Sequence, residues 1–510
     1  MRPRPAVGVV IALLAAGAAV AAGELTAAVV RPAASPIIAV GNRFIEFTPV
    51  AVKQWAISVF GTNDKSALLT GIYLSLVLFA VVVGLLAARS PALGVAGIAV
   101  LGAIGVYCAA TAPGHHSADV IPSIVAGVVG AATLAGLLWV IEPRGDPVDP
   151  SGVSRRHLLQ AGSVVAGFAV LGTYLGRSWQ HERNLTRARN ALTLPTPASP
   201  APPLASGTDL GKGAVPFVTP NAKFYRVDTA LAVPEVDPKT WTLQVHGRVD
   251  REVTLTYSQL VARPLIERWI TLCCVSNEVG GDLISNARFL GARLADVLRE
   301  AGIHPDADQL VATSADGMTI GTPTAAVLDG RDAMLAIGMN GQPLPLNHGF
   351  PVRMIVPGLY GYVSACKWIV DLEATTFADT DAYWVARGYA AHPPIVLSSR
   401  IDTPKSTARL PVGQSIAIAG IAWDQHVGVS AVQVRIDDGA WQDARLAPVP
   451  SIDTWRQWVF PWTVPSPGAH RIAVRAVAAD GTKQDEVARD SYPAGATGLH
   501  QITVTGRASG

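Results

Sequence analysis

The sequence predicts three parts in order: an α-helical transmembrane bundle, a domain of mixed α and β structure (α+β), and a C-terminal β-sandwich. Three observations predict them. The hydrophobicity is concentrated before residue 180. A Pro/Ala-rich stretch then leads into a region where strand-like and helix-like patterns mix. From about residue 400 the pattern changes to short strands punctuated by Gly, Asp and Pro. The 510-residue chain is 50% hydrophobic and only 15% charged, against roughly 25% charge in ordinary soluble domains. That deficit points to a membrane. The net charge of +2 leaves no strong field of the kind that attracts nucleic acid or acidic partners.

Residues 1–178 form the predicted membrane domain, with candidate spans at 7–30, 67–88, 92–112, 120–141 and 158–175. Most approach the roughly 20 apolar residues that cross a bilayer. The first follows MRPRP, as a cleavable signal peptide would, but four more apolar segments come after it. Residues 42–60 mix aromatics with charges, as a segment along the membrane surface does. Arg2, Arg4, Arg89, Arg144, Arg155 and Arg156 fall on one side if every segment crosses, and that side is expected to be the cytoplasm. Arg31, Arg43, Lys53 and Lys65 sit in the opposite loop and count against this orientation. Five crossings from an inside N-terminus place everything after about residue 178 outside, on a multi-pass protein of the cell membrane. Ser154, Arg155, Arg156, Leu158 and Leu159 open the last span and resemble a twin-arginine export signal. Two membrane-flanking arginines are the plainer alternative.

Residues 179–214 are a predicted linker, with TPASPAPPLASG at 196–207 expected to be extended and without a core. In the domain at 215–398, WTLQVHG (241–247) alternates as a half-buried strand does, and LADVLREAG (294–302) is a short amphipathic helix ending at glycine. Asn340-Gly341 is a tight-turn signal. In the last domain, 399–506, strand runs at 414–423, 430–446 and 468–481 suggest an antiparallel sandwich.

Candidate chemistry starts with the cysteines. There are four, Cys108, Cys273, Cys274 and Cys366, and none forms a CxxC pattern. Adjacent cysteines rarely bridge each other because the geometry is strained, so the Cys273-Cys274 pair needs another explanation. It lies in TLCCVSN, residues 271–277. Downstream come MNGQPLPLNHGFPVRMIVPGLYGYVSACKW at 339–368 and YWVARGY at 383–389. In this order the three stretches resemble the sulfite oxidase family of molybdenum-cofactor proteins. The resemblance spans about residues 215–506 and leaves the membrane half outside it.

The resemblance implies a molybdenum–molybdopterin cofactor, with Cys274 as the thiolate ligand of the metal and Cys273 at a variable position. A soft thiolate suits such a metal. It implies that His348 and Arg353 hold the pterin and its phosphate, and that Ser364 and Lys367 make further cofactor contacts ahead of Trp368. Tyr389, five residues after Trp384, falls on the family's active-site tyrosine, whose phenol donates a hydrogen bond or relays a proton. The C-terminal sandwich then corresponds to the family's immunoglobulin-like domain, which implies a homodimer. The implied activity is oxygen-atom transfer on a small oxyanion or an S- or N-oxide. With no haem motif in the chain, the electrons go to or come from an external carrier, a quinone or a cytochrome.

The departures carry information too. Sulfite oxidases have two arginines after the Cys-x-x-Asn motif, and this chain has Glu278 and Val279. Where the family usually reads Arg-Asn-His, this chain has Asp228, Thr229 and Ala230, so Tyr225 and Arg226 are the candidates to take over those pterin contacts. These losses favour an S-oxide or N-oxide over sulfite. They also keep open a second reading, a membrane-tethered binding or sensor protein that retains the fold without turnover. Without the motifs around them, Cys274, His348 and Tyr389 would be a buried cysteine, a turn histidine and a packed tyrosine. His115 and His116 read as a solvated loop rather than a haem or metal site.

Overall fold

The computed structural model describes residues 5–49, 52, 55–56, 59–60, 64–112, 115–141, 181–211 and 213–508. They form two compact units: Met1–Arg187 with Thr229–Glu235, and Ala188–Asp228 with Val236–Gly510.

In the first unit, α1 (Pro5–Val30), α2 (Pro36–Phe47), α3 (Asp64–Arg89), α4 (Pro91–Thr111) and α5 (Ile121–Ile141) follow one another. Four segments among the described residues are long and apolar enough to cross a membrane: Pro5–Val30, Lys65–Arg89, Pro91–Thr111 and Ser117–Val140. They match the first four spans read from the sequence. The fifth expected span and the twin-arginine-like stretch lie outside the described residues. Lipid-like surroundings supply no hydrophobic drive between such helices, so association relies on close backbone approach. Gly8 of α1 meets Gly84 of α3 in this way: a Cβ on Gly8 would lie 2.5 Å from the Gly84 carbonyl oxygen. Ile11, Ala15, Val83, Ala87, Ile98 and Leu134 fill the centre. Polar groups at one end are paired. Arg31 forms a two-pronged ion pair with Asp119, and Ser35 donates to buried Glu24 at 2.6 Å. Ser35 also caps α2, whose Phe44 and Phe47 are exposed while Ile37 and Ala39 are buried.

Helix α6 (His181–Ala191) lies inside the stretch read as a linker, and the second unit starts within it, at Ala188. The residues after α6 are extended, as expected, but docked: Arg268 Nη1 donates to the Ser199 carbonyl at 3.0 Å and Trp269 Nε1 to that of Pro202 at 2.9 Å. A proline-rich segment has few donors but keeps its carbonyls, and these satisfy donors from a neighbouring strand.

Ten strands then follow: β1 (Thr242–Gly247), β2 (Val253–Thr256), β3 (Leu265–Cys273), β4 (Ile284–Arg293), β5 (Gln309–Ser314), β6 (Thr319–Pro323), β7 (Met334–Met339), β8 (Gln342–Pro343), β9 (Arg353–Ile355) and β10 (Ile369–Thr375). They build two sheets, ordered β2-β1-β10-β5-β6 and β3-β4-β7-β8, with β9 on β7. Helix α7 (Leu294–Ala301) buries Leu294, Val297, Leu298 and Ala301 and stops at Gly302, φ 70°. The core shared by these elements includes Trp241, Leu243, Leu290, Leu310, Leu335 and Leu372. The Asn340-Gly341 turn joins β7 to β8, both residues at positive φ (52° and 78°).

The C-terminal region has two further sheets. One comprises β11 (Ser398–Thr403), β13 (Ser415–Trp423), β17 (Arg456–Thr463) and β16 (Arg445–Leu446); the other comprises β12 (Arg409–Pro411), β19 (His500–Arg507), β18 (Gly468–Ala478), β14 (Val429–Ile436) and β15 (Gln442–Asp443). Ile401, Ile418 and Trp458 of the first share one core with Val432, Val434, Val474 and Val504 of the second. The runs read at 414–423, 430–446 and 468–481 hold β13, β14 to β16, and β18, while β11, β12, β17 and β19 lie outside them.

Asp424, just after β13, is a buried carboxyl whose burial, with Asp480 nearby, raises its pKa to about 7. An unfolded aspartate titrates near 3.9. The folded state therefore holds the proton more tightly, and stability falls as pH rises from about 4 to about 7, then stays level. Asp424→Asn is expected to be more resistant to urea than the parent above pH 7 and equal to it near pH 4, followed by tryptophan fluorescence.

Candidate functional site

Strand β3 delivers the cysteine pair. Cys273 is its last residue, paired with Ile284 of β4, and Cys274 begins the connection between the two strands. That connection is closed by its own polar groups. Cys274 N donates to the Leu283 carbonyl at 2.9 Å, and Asn277 Oδ1 accepts from Leu283 N at 2.8 Å. Adjacent residues at a strand end face different surroundings. Cys273 packs among Trp269, Val275, Tyr360, Trp423 and Trp455. Cys274 is bonded by the backbone and hydroxyl of Ser276 and feels the charge of Lys367. Burial raises both thiols, while Ser276 and Lys367 pull Cys274 back towards the thiolate. Ser276 was not singled out from the sequence; a hydroxyl two residues after the thiol was its only signal.

Around Cys274 the structure gathers Tyr225, Arg226, His348, Arg353 and Lys367. The Tyr225 phenol, raised by burial, is influenced by Cys274, Cys273 and Arg353. Its ring stacks on Phe224, whose ring meets the His348 imidazole edge-on at 5.5 Å. His348 is buried, and its pKa falls to about 3, through burial first and then the charges of Arg353 and Lys367. It is a neutral imidazole at pH 7. Arg353 is 3% exposed and brought down to about 10 by burial, so it stays charged. Its Nη1 donates to the His348 carbonyl at 3.3 Å. Gly349 makes this approach feasible: its φ is 105°, and a Cβ there would lie 3.0 Å from Arg353 Cβ. Lys367 is lowered to about 8 by burial, held up by Asp228 against the push of Arg353. Its Nζ donates to Asp228 Oδ2 at 2.9 Å and to the Val227 carbonyl at 3.0 Å.

Two buried side-chain atoms of this group, His348 Nδ1 and Arg353 Nε, have no hydrogen-bond partner. Burying such atoms unpaired costs about 1–3 kcal/mol each. A cradle of one neutral imidazole and three cations with unspent donors fits an anionic, nitrogen-rich ligand, and a thiol beside it fits a soft metal.

Ser364 is placed differently. It is fully buried at the end of the short helical turn Gly361–Ser364, and its hydroxyl lies on the Leu359 and Tyr360 carbonyls at 2.9 and 3.0 Å. Its one hydrogen is thus committed to the backbone. Tyr389 follows a tight turn in which its N–H reaches the Trp384 carbonyl at 3.2 Å. Its ring packs edge-on against Trp384, Tyr362 and Tyr492, at 5.2, 5.5 and 5.0 Å. It borders the cluster that contains Cys273 and Tyr360. A shallow cleft lies on the same side, lined by Cys273, Glu278, Val279 and Tyr360 and faced by Ser399, Trp423 and Gln484.

A family model described as the oxidoreductase molybdopterin binding domain matches residues 230–384. The uncharacterized oxidoreductase YuiH of Bacillus subtilis is 31% identical over 153 residues, which cover 30% of this chain and 74% of that protein. The chain belongs to the sulfite-oxidase-like family of molybdopterin oxidoreductases. The mitochondrial sulfite oxidase of Mus musculus is 32% identical over 300 residues, 49% of this chain and 54% of that protein. The chain thus spans about half the length of that relative, and 61% of the Drosophila melanogaster sulfite oxidase. Among solved structures, the sulfane dehydrogenase SoxCD of Paracoccus pantotrophus superposes with a TM-score of 0.50 at 22% identity, covering 57% of this chain and 81% of that one. That likeness concerns the fold. Within the matched segment lie Cys274, His348, Arg353, Ser364 and Lys367; Tyr225, Arg226 and Tyr389 lie outside it.

The donor set fits the family's cofactor. Lys367 is charged below about pH 8 and neutral above it, so its hold on an anionic ligand weakens as pH rises through that value. Release of pterin from the purified protein is expected to speed up on the order of 10-fold between pH 7 and pH 9, read by the fluorescence of the released, oxidised pterin.

Proposed function

We propose that the chain is a membrane-anchored molybdenum-cofactor oxidoreductase that works on the extracytoplasmic side and reduces a neutral S-oxide or N-oxide. The observation that carries the reading is the pair of buried side-chain atoms without a hydrogen-bond partner among the described residues, His348 Nδ1 and Arg353 Nε, in the group that surrounds Cys274. In this reading Arg353, Lys367, Arg226 and His348 hold the pterin and its phosphate, Tyr225 borders the cofactor, and Cys274 ligates the metal. Ser364 supports the turn that shapes the cradle from behind. Two-electron oxygen-atom transfer is the chemistry that the molybdenum cofactor supplies when bound.

The chain's own residues do the rest. Ser276 and Lys367 stabilise the Cys274 thiolate against the cost of burial. Tyr389, held at a fixed angle by three aromatic rings, donates its phenolic hydrogen to the substrate oxygen. The overall change is R2SO + 2e⁻ + 2H⁺ → R2S + H2O, the electrons coming from an external quinol or cytochrome. The four apolar helices and the further span expected at 158–175 tether the chain, and five crossings from an N-terminus held inside by its flanking arginines put the cofactor domain and the sandwich outside. Residues 215–398 act as the cofactor domain and 399–506 as an immunoglobulin-like domain that pairs two copies.

Val279 favours an S-oxide or N-oxide over sulfite. It is 38% exposed on the rim of the cleft, where an arginine would anchor an oxyanion through charge-assisted hydrogen bonds. Its neighbour Glu278 adds a negative charge. Loss of such an anchor is worth about 100-fold in kcat/KM.

Two outcomes test the reading. The detergent-purified protein is expected to carry about one molybdenum and one pterin per chain, and Cys274→Ser to lose at least about 1,000-fold in S-oxide reduction; a parent without molybdenum or pterin, made in a cofactor-competent host, refutes it. Val279→Arg is expected to improve inhibition by sulfate about 10-fold while leaving pterin content unchanged. That is checked by steady-state inhibition alongside pterin analysis.

A further inference from the structure

The turn ahead of the first strand carries a group that the cofactor reading does not use. Asp228 is an acid whose side chain is only 6% exposed. Its Oδ2 accepts from two cations at once, Lys367 Nζ at 2.9 Å and Arg226 Nε at 2.9 Å. The residue before it supplies the second anchor, since Lys367 Nζ also donates to the Val227 carbonyl at 3.0 Å. Residues 226–228 thus wrap around the ammonium group. Among the described residues, these two bonds use two of its three hydrogens.

We propose that Asp228 is a positioning residue of the cofactor cradle: by fixing one hydrogen of Lys367 and one of Arg226, beside the Val227 carbonyl that fixes a second hydrogen of Lys367, it aims the remaining Lys367 hydrogen at the anion that Arg353 also faces. The proposal rests on the reading of this site as a pterin-phosphate cradle. The physical argument has three parts. A lysine ends in a flexible four-carbon stem and does not orient itself as a guanidinium does. A buried carboxylate is costly unless paired, so its placement between two cations is a specific arrangement rather than a surface accident. Asp228 also keeps Lys367 protonated against burial and the charge of Arg353.

Simple charge counting predicts the opposite outcome. Arg226, Arg353 and Lys367 carry three positive charges against the one negative charge of Asp228. Removing the carboxylate makes the cradle more positive, which by itself tightens an anion. Positioning and bulk charge therefore differ in sign.

The experiment uses the full-length, detergent-purified holoprotein. Pterin and molybdenum per chain are followed over timed dialysis for the parent, Asp228→Asn, Asp228→Glu, Lys367→Met and the double variant Asp228→Asn/Lys367→Met. Positioning predicts that Asp228→Asn loses pterin roughly 10-fold faster than the parent and that Asp228→Glu recovers part of the loss. It also predicts that adding Asp228→Asn to Lys367→Met costs little more, because Asp228 acts through Lys367. A merely structural role would make the two losses additive. Retention by Asp228→Asn equal to or better than the parent, or additive losses, overturns the proposal. If Asp228→Asn does not fold, the comparison of Asp228→Glu with the parent decides: unchanged retention with one added methylene overturns the proposal, and an intermediate loss supports it. A parent that holds no pterin overturns the cradle reading itself, an outcome separate from a pterin-loaded parent whose variants behave alike.

Discussion

A guanidinium buried in the middle of a domain needs something to compensate it, and among the described residues Arg353 has one backbone carbonyl and no partner on Nε. Much of the site follows from that constraint. Gly349 gives way so that the chain can pass Arg353 closely. His348 is kept neutral by burial first and then by the cations around it. Lys367, a second buried cation, is tethered by Asp228 and the Val227 carbonyl. An interior with this excess of positive charge is stable only with an anion in it, and a phosphorylated pterin is one.

The thiol side of the site is braced from the C-terminal sandwich. Thr271, two residues before the pair, donates its N–H to the Asp453 carbonyl at 2.9 Å, and its hydroxyl accepts from Trp455 N at 2.8 Å. Arg400 of β11 reaches the Gly281 carbonyl at 2.6 Å, inside the loop that closes on Asn277. Strand β3 is thus held by hydrogen bonds from elements more than a hundred residues away. The sandwich shapes the cysteine loop from behind and supplies Ser399, Trp423 and Gln484 to the facing wall of the cleft.

What the sequence by itself determined is the part governed by local pattern. Length and apolar content set four long helices within a few residues, each apolar enough to cross a membrane. Period-two alternation located β1, short runs between Gly, Asp and Pro located β13 and β18, and Asn340-Gly341 located the β7–β8 turn, since few residues tolerate positive φ at both positions. The ordered motifs around Cys274, His348 and Arg353 pointed to the family before any coordinates.

What only the tertiary structure decided is how groups distant in sequence share charge and hydrogens. Asp228 reads in the sequence as a lost contact; in the structure its carboxylate ties Arg226 to Lys367, which lies 139 residues after Asp228. Ser364 sits in a motif that suggests a ligand contact, yet its single hydrogen goes to the backbone of its own turn. The proline-rich stretch after α6 looks like a free linker, but its carbonyls satisfy Arg268 and Trp269. In each case the deciding quantity is which donor meets which acceptor in a buried space, and that is a property of the packed chain rather than of local pattern.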